Sequence, residues 1–137
     1  MKDNGYVDKF RQPRVELTVK GNRTSLRVAP VVDTGFDGHL CLPVATAIPL
    51  GLELNGQVPV ELADGSKKRE LTFQGTAIWQ GREFDIDIFL TESADALLGS
   101  SMMQGQKLTI AYANHFVTIE PDIVTKPGKS KKRKSKK

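Results

Sequence analysis

A chain of 137 residues can bury one real core but is too short for a two-lobed enzyme, so an active site needing two lobes must take the second from another copy. A single cysteine, Cys41, excludes an internal disulfide; the opening MKDNGYVDKF lacks an apolar secretory core, and no apolar run approaches the roughly 20 residues of a spanning helix, so no membrane association is expected and the expected compartment is the cytoplasm. The net charge of +4 divides unevenly: residues 126–137, KPGKSKKRKSKK, hold 8 of the 20 Lys and Arg and no acid, which leaves residues 1–125 with 12 basic against 16 acidic residues and a net charge of −4.

Residues 1–13 are polar and are read as a loose N-terminal segment. From Val15 the pattern becomes β-like: VELTVK alternates Val15, Leu17 and Val19 against Glu16, Thr18 and Lys20, and Gly21-Asn22 supplies a turn. TSLRVAPVV runs back as a second strand, with Pro30 near its end, and delivers the chain to Asp33. HLCLP is a short extended piece; Pro43 can open a short helix through VATAIPLGL, which Pro49 limits to about two turns and Gly51 can close. QVPVELADGSKKRELTFQG reads as a hairpin about Asp64-Gly65, its first arm an edge or irregular because of Pro59.

A further hairpin turns at Gln80-Gly81, and its second arm alternates Phe84, Ile86, Ile88 and Leu90 with acids. ADALLGSSMMQ gives an apolar run into a glycine and a short helical turn, and KLTIAY with HFVTIE forms a last hairpin. About eight strands and two short helices predict an all-β, mostly antiparallel domain over residues 14–122, folded as a barrel-like closed sheet. Residues 123–137 form a basic tail whose final segment, from Lys126 to Lys137, has no aliphatic or aromatic side chain; it is read as disordered and suited to nonspecific contact with polyanions such as nucleic acid through counterion release.

Three features stand in a definite order: Asp33-Thr34-Gly35 after the apolar run Val31-Val32, the Asp64-Gly65 hairpin, and Leu97-Leu98-Gly99 within ALLG. A carboxylate at the end of an apolar strand is costly unless it is paired or hydrogen-bonded, so Asp33 needs a reason to be there. In this order and spacing the motifs resemble those of the retropepsin-like aspartic proteases, over roughly residues 14–120, and especially the bacterial and archaeal members that read Asp-Thr-Gly-Phe. The resemblance implies a single-domain acid-protease barrel and a homodimer in which Asp33 of each copy supplies one carboxylate of a water-activating dyad. It also implies that Thr34 bonds across to the second copy, and that Gly35 lets backbone N–H groups approach the carboxylate. Leu97 and Leu98 would pack beneath the loop, and Gly99 would avoid a clash with it. Ala63, Asp64 and Gly65 would form a flap over an extended peptide or protein substrate, and neither cofactor nor metal is implied. Phe36, in place of the common Ala or Ser, is expected to narrow the neighbouring substrate pocket, and Asp37 to face solvent.

Other arrangements carry less. GSSMM is not Gly-x-Ser-x-Gly, so Ser100 and Ser101 read as a helix-starting cap and no residue orients His39 or His115. Cys41 lies between Leu40 and Leu42 and reads as a small strand residue. FDIDIF offers alternating acids on one strand face and no cluster at ligand spacing. Trp79 and Phe84 read as core or cross-strand partners rather than a stacking platform for bases. The leading expectation is an aspartic endopeptidase; the alternatives are a noncatalytic peptide-binding or dimerisation module of the same fold, and a nucleic-acid-binding β-barrel led by its tail.

Overall fold

The computed structural model describes residues 3–123; the basic segment 126–137 lies outside them. In chain order the elements are strands β1 (Asp3–Val7), β2 (Pro13–Val15), β3 (Leu17–Lys20), β4 (Ser25–Val28), β5 (Val31–Val32) and β6 (Leu40–Pro43). Helix α1 (Val44–Ala47) follows, then β7 (Glu53–Glu61), β8 (Lys67–Trp79), β9 (Arg82–Thr91), β10 (Leu97–Leu98), β11 (Gln106–Ala111) and β12 (Phe116–Pro121). Two 3-10 turns, Ile48–Leu50 and Ser100–Met103, complete the list.

One sheet takes every strand, in the order β11-β12-β1-β2-β5-β10-β6-β9-β8-β3-β4, with β7 added on β8. The mostly-β class expected from the alternation is present, but among the described residues the ladder is an open path ending at β11 and β4, not a hydrogen-bonded closed barrel. The reason lies in two partner switches. VELTVK, expected as one strand, breaks at Glu16: Val15 belongs to the β1–β2–β5 region, while Leu17–Lys20 pairs with β4 and β8 at the other end of the path. The return strand breaks likewise at Ala29-Pro30, where the ring removes the N–H that a continuous strand would need. The two ends of the sheet are therefore joined through the chain itself, which curls the sheet around one core.

That core is built by alternation. Leu17 and Val19 in β3, Leu40 and Leu42 in β6, and Ile86 and Ile88 in β9 are all buried while their neighbours are not. Each such side chain contributes roughly 1.5–3 kcal/mol by leaving water. Leu50 sits in the 3-10 turn after α1, fully buried, and Gly51 ends that turn at φ 71° with its N–H on the Ile48 carbonyl. The stop at Gly51 follows the sequence; Pro43 closes β6 and caps the helix instead of opening it, so α1 begins one residue later than expected, at Val44.

The expected loose segment 1–13 is corrected by strand β1, which lies between β12 and β2 with Tyr6 opposite both Phe116 and Arg14. Its sequence shows little alternation because Gly5, where a Cβ would collide with the Arg14 carbonyl and the Val15 side chain, leaves no apolar mark two residues before the buried Val7. Arg14 explains why the following turn is ordered. Its Nε donates to Asp8 Oδ2 at 2.7 Å, one terminal nitrogen to the Ala29 carbonyl at 2.8 Å, and the other to Asp95 Oδ1 at 2.9 Å and Gln12 Oε1 at 3.3 Å. One guanidinium thus ties together the β1–β2 turn, the β4–β5 link and the loop before β10, the planar fork being suited to several acceptors at once.

The Arg14 hydrogen bond, with the Gln12 and Phe10 N–H groups, holds the Asp8 carboxyl below its ordinary value of 3.8. A carboxyl depressed in the folded state adds stability above its unfolded pKa and loses it as pH falls through the folded one. Urea unfolding should therefore show wild type more stable than Asp8→Asn near neutrality, with the gap closing as pH drops through and below about 4; a gap independent of pH would contradict this role of Asp8.

Candidate active site

Asp33 follows directly on β5, and its position is fixed by β10. Leu97 and Leu98 pair in parallel with Val31 and Val32 on one side and antiparallel with Cys41 and Leu40 on the other. Two short strands between partners make up for their length by using both edges. The ladder continues past their ends: Val31 N–H donates to the Ala96 carbonyl and Asp33 N–H to the Leu98 carbonyl, both at 2.9 Å. The acid is thus held by its own backbone to the middle of the sheet.

The loop 33–39 then folds back over the end of β10. Gly99 N–H donates to the His39 carbonyl at 2.9 Å, Ser100 N–H to the Phe36 carbonyl at 2.8 Å and Ser101 N–H to the Gly38 carbonyl at 3.1 Å. A Cβ on Gly99 would collide with the Gly38 and Phe36 carbonyl oxygens, so only glycine admits this crossing. The structure therefore brings Asp33, Thr34 and Gly35 together with Leu97, Leu98 and Gly99, as their order in the sequence suggested. Leu98 is fully buried beneath them and Leu97 half-buried.

Asp33 itself is half-exposed, and Thr34 and Gly35 are exposed. Asp33 Oδ1 accepts the Gly35 N–H at 2.9 Å. This is the bond of a turn-capping aspartate, and it also aims the carboxylate. Among the described residues no hydrogen bond reaches Oδ2 or the Thr34 hydroxyl, so one carboxylate oxygen of a half-exposed side chain and one hydroxyl of an exposed one have no partner there.

Phe36 sets its ring edge-to-face with Phe89 at 5.7 Å and against Gly38 and Gly99, and so braces the loop. Ser101 does not cap a helix: Gly99 holds that position without a side-chain bond, and Ser101 Oγ donates to the Asp37 carbonyl at 2.6 Å. His39 contributes through its carbonyl and accepts the Asp87 N–H on Nδ1 at 3.4 Å. Neither role had a signal in the sequence, because each depends on carbonyls brought near by the crossing. Asp37 is exposed, as expected. Cys41 is half-buried and its thiol is pushed up by burial and by Glu70, which keeps it protonated and a poor nucleophile.

Ala63, Asp64 and Gly65 lie at the exposed tip of the β7–β8 hairpin. Asp64 Oδ1 accepts from the Ser66 hydroxyl and N–H, Leu62 N–H donates to the Ser66 carbonyl, and Gly65 takes φ 87°. β9 joins β8 only from Phe73 onward, so residues 57–71 project as a two-stranded ribbon, with a bulge at Gly56 near its base. β7 pairs with β8 alone, which is why Pro59 is tolerated there. No hydrogen bond among the described residues joins this ribbon to the Asp33 loop. Those residues also contain no group of three or more His, Cys, Asp or Glu placed to hold a metal ion, and no helix long and apolar enough to cross a membrane.

Leu98→Ala removes a fully buried side chain below the loop and is expected to cost about 3 kcal/mol in chemical denaturation. Gly99→Ala should cost more stability than an alanine at the exposed Gly105, and unchanged stability in Gly99→Ala would contradict the crossing described above.

No family model and no curated protein matches the chain in sequence. Solved structures of similar fold include two proteases. A retropepsin-like aspartic protease from Rickettsia conorii superposes with a TM-score of 0.58 at 16% identity, covering 88% of this chain and 91% of that one. The EIAV protease, complexed with an inhibitor, gives a TM-score of 0.52 at 19% identity over 71% of this chain and 89% of its own. At these identities the likeness establishes architecture: the chain has the retropepsin fold.

Proposed function

We propose that the chain is an aspartic endopeptidase that cleaves extended peptide segments as a homodimer, with one Asp33 from each copy at the catalytic centre. The observation that carries this reading is the half-exposed carboxylate of Asp33 at the end of β5. It is fixed by Asp33 N–H to Leu98 O and Gly35 N–H to Oδ1, and its second oxygen is left without a partner in its own chain. The domain doing this work runs over residues 14–122, with β1 added to it.

A single carboxylate at the tip of a loop does not hydrolyse a peptide by itself. Across a two-fold axis it meets its copy, and two carboxylates that close together hold one proton between them. They titrate as a pair. The ionised member takes a proton from water as that water attacks the scissile carbonyl, and the protonated member gives its proton to the carbonyl oxygen. The tetrahedral intermediate then collapses as the leaving nitrogen is protonated. In this arrangement Thr34 hydroxyls link the two loops, and Gly35 leaves room for backbone N–H groups at the carboxylates. The ribbon tip at Ala63, Asp64 and Gly65 binds substrate backbone in the manner of an added strand. Leu97, Leu98 and Gly99 position the loop without touching substrate.

The rival reading, a peptide-binding or dimerisation module without catalysis, is disfavoured by the intact Asp33-Thr34-Gly35 and by a carboxylate left open to substrate. The test is incubation of the protein and Asp33→Asn with a diverse peptide library from about pH 4 to 7, with and without a statine-type transition-state analogue. Cleavage is expected from wild type, blocked by the analogue, and lost by at least about 1,000-fold in the variant; cleavage retained in Asp33→Asn, or absent from a dimeric wild type, would overturn the proposal. The basic segment 126–137 is proposed to contact polyanions without reading sequence. An RNA gel shift should weaken steeply with salt and vanish when those residues are removed.

A further inference from the structure

The strand registers place one rim of the sheet together. β1 ends at Val7, which pairs with Pro13 at the start of β2 and donates its N–H to the His115 carbonyl at the start of β12. β2 runs antiparallel to β5, with Arg14 opposite Val31. The β1–β2 turn, the β11–β12 turn and the point where Asp33 leaves β5 therefore share this rim, within four strand spacings of about 4.8 Å.

The same rim carries an unusual share of exposed aromatic surface. Tyr6 and Phe116 stand directly opposite each other and are 40% and 44% exposed; Phe10, in the β1–β2 turn, is 68% exposed, and Tyr112, in the β11–β12 turn, 54%. These are both tyrosines and two of the six phenylalanines in the chain. Large aromatic side chains left in water around one rim mark a contact surface, because such residues dominate the energetics of protein interfaces.

Two of the strands nearby have both backbone edges occupied, while β11 ends the path. β1 is hydrogen-bonded to β12 and β2, and β12 to β11 and β1, all within one chain. A partner therefore meets this rim through side chains and not by exchanging those strands.

We infer that this aromatic rim is the surface on which a second copy of the chain docks, with Phe10, Tyr112, Tyr6 and Phe116 as its anchors. The inference rests on the proposed Asp33 dyad. An active site completed by a second copy needs that copy at the rim from which Asp33 emerges, and a two-fold contact sets the same aromatic patch on both partners against each other. A stable contact of this kind buries about 800 Å² on each partner, so it has to extend beyond the Asp33 loop, and the two neighbouring turns lie on the same rim.

The test is sedimentation velocity on the full chain over a range of concentrations, with the double variant Phe10→Ser/Tyr112→Ser and a control, Ile48→Ser, which removes an equally exposed side chain from the turn after α1. Circular dichroism melting verifies that each variant is folded, and Phe116→Lys serves as a second probe of the rim. Wild type is expected to dimerise, the rim variants to dissociate at least about tenfold more readily, and the control to match wild type. Peptide cleavage by the double variant should recover at higher protein concentration. A wild-type dimer that the rim variants leave intact would overturn the docking surface while sparing the protease reading. Weakened dimers without cleavage by wild type would sink that reading and keep the surface; a wild type that stays monomeric with peptide present would remove both.

Discussion

The structure depends on a two-residue strand. Leu97 and Leu98 fill the space between β5 and β6, and the Ala96 and Leu98 carbonyls take the N–H groups of Val31 and Asp33. This satisfies backbone groups that would otherwise be buried without partners, at a cost of about 1–3 kcal/mol each. It also ties the backbone of Asp33 to the middle of the sheet while its side chain stays half-exposed. The crossing at Gly99 follows from that placement, since the loop after Asp33 has to pass over the strand that supports it.

Around this centre the fold divides into a supporting part and a reaching part. The support is tight: Phe36 wedges against Phe89, Ser101 and His39 tie the loop to its neighbours, and Arg14 fastens the β1–β2 turn to the segment entering β10. The reaching part is the ribbon from β7 and β8, which leaves the sheet beyond Thr72 and has no third strand to stiffen it. The Asp33 loop is thus braced from several sides, while the ribbon is held by a single pair of strands.

Much of this was legible in the sequence, because alternation and turn chemistry are local. The hairpins about Asp64-Gly65 and Gln80-Gly81, the stop at Gly51 and the edge character of the Pro59 arm follow from residue types alone. The splitting of VELTVK at Glu16 and of the next strand at Ala29-Pro30 was not legible as partner switching, since a strand reads the same whichever neighbour it pairs with. Strand β1 was hidden because Gly5 removes one of its inward apolar positions and one of its two partners, β12, lies far along the chain. At the site, the order of Asp33-Thr34-Gly35 and Leu97-Leu98-Gly99 pointed to the acid and its support. The packing of Phe36 against Phe89 and the bond from Ser101 to the Asp37 carbonyl depend on the crossing, which no local pattern encodes.

The central claim is that Asp33 acts only in a pair drawn from two copies. The most direct measurement mixes wild type with Asp33→Asn at constant total protein, lets subunits exchange, and follows peptide cleavage against the wild-type fraction. If both carboxylates are needed, activity follows the square of that fraction, so an equal mixture retains about a quarter of the wild-type rate. A linear response, with about half the rate retained, would contradict the account, because each Asp33 would then be working alone.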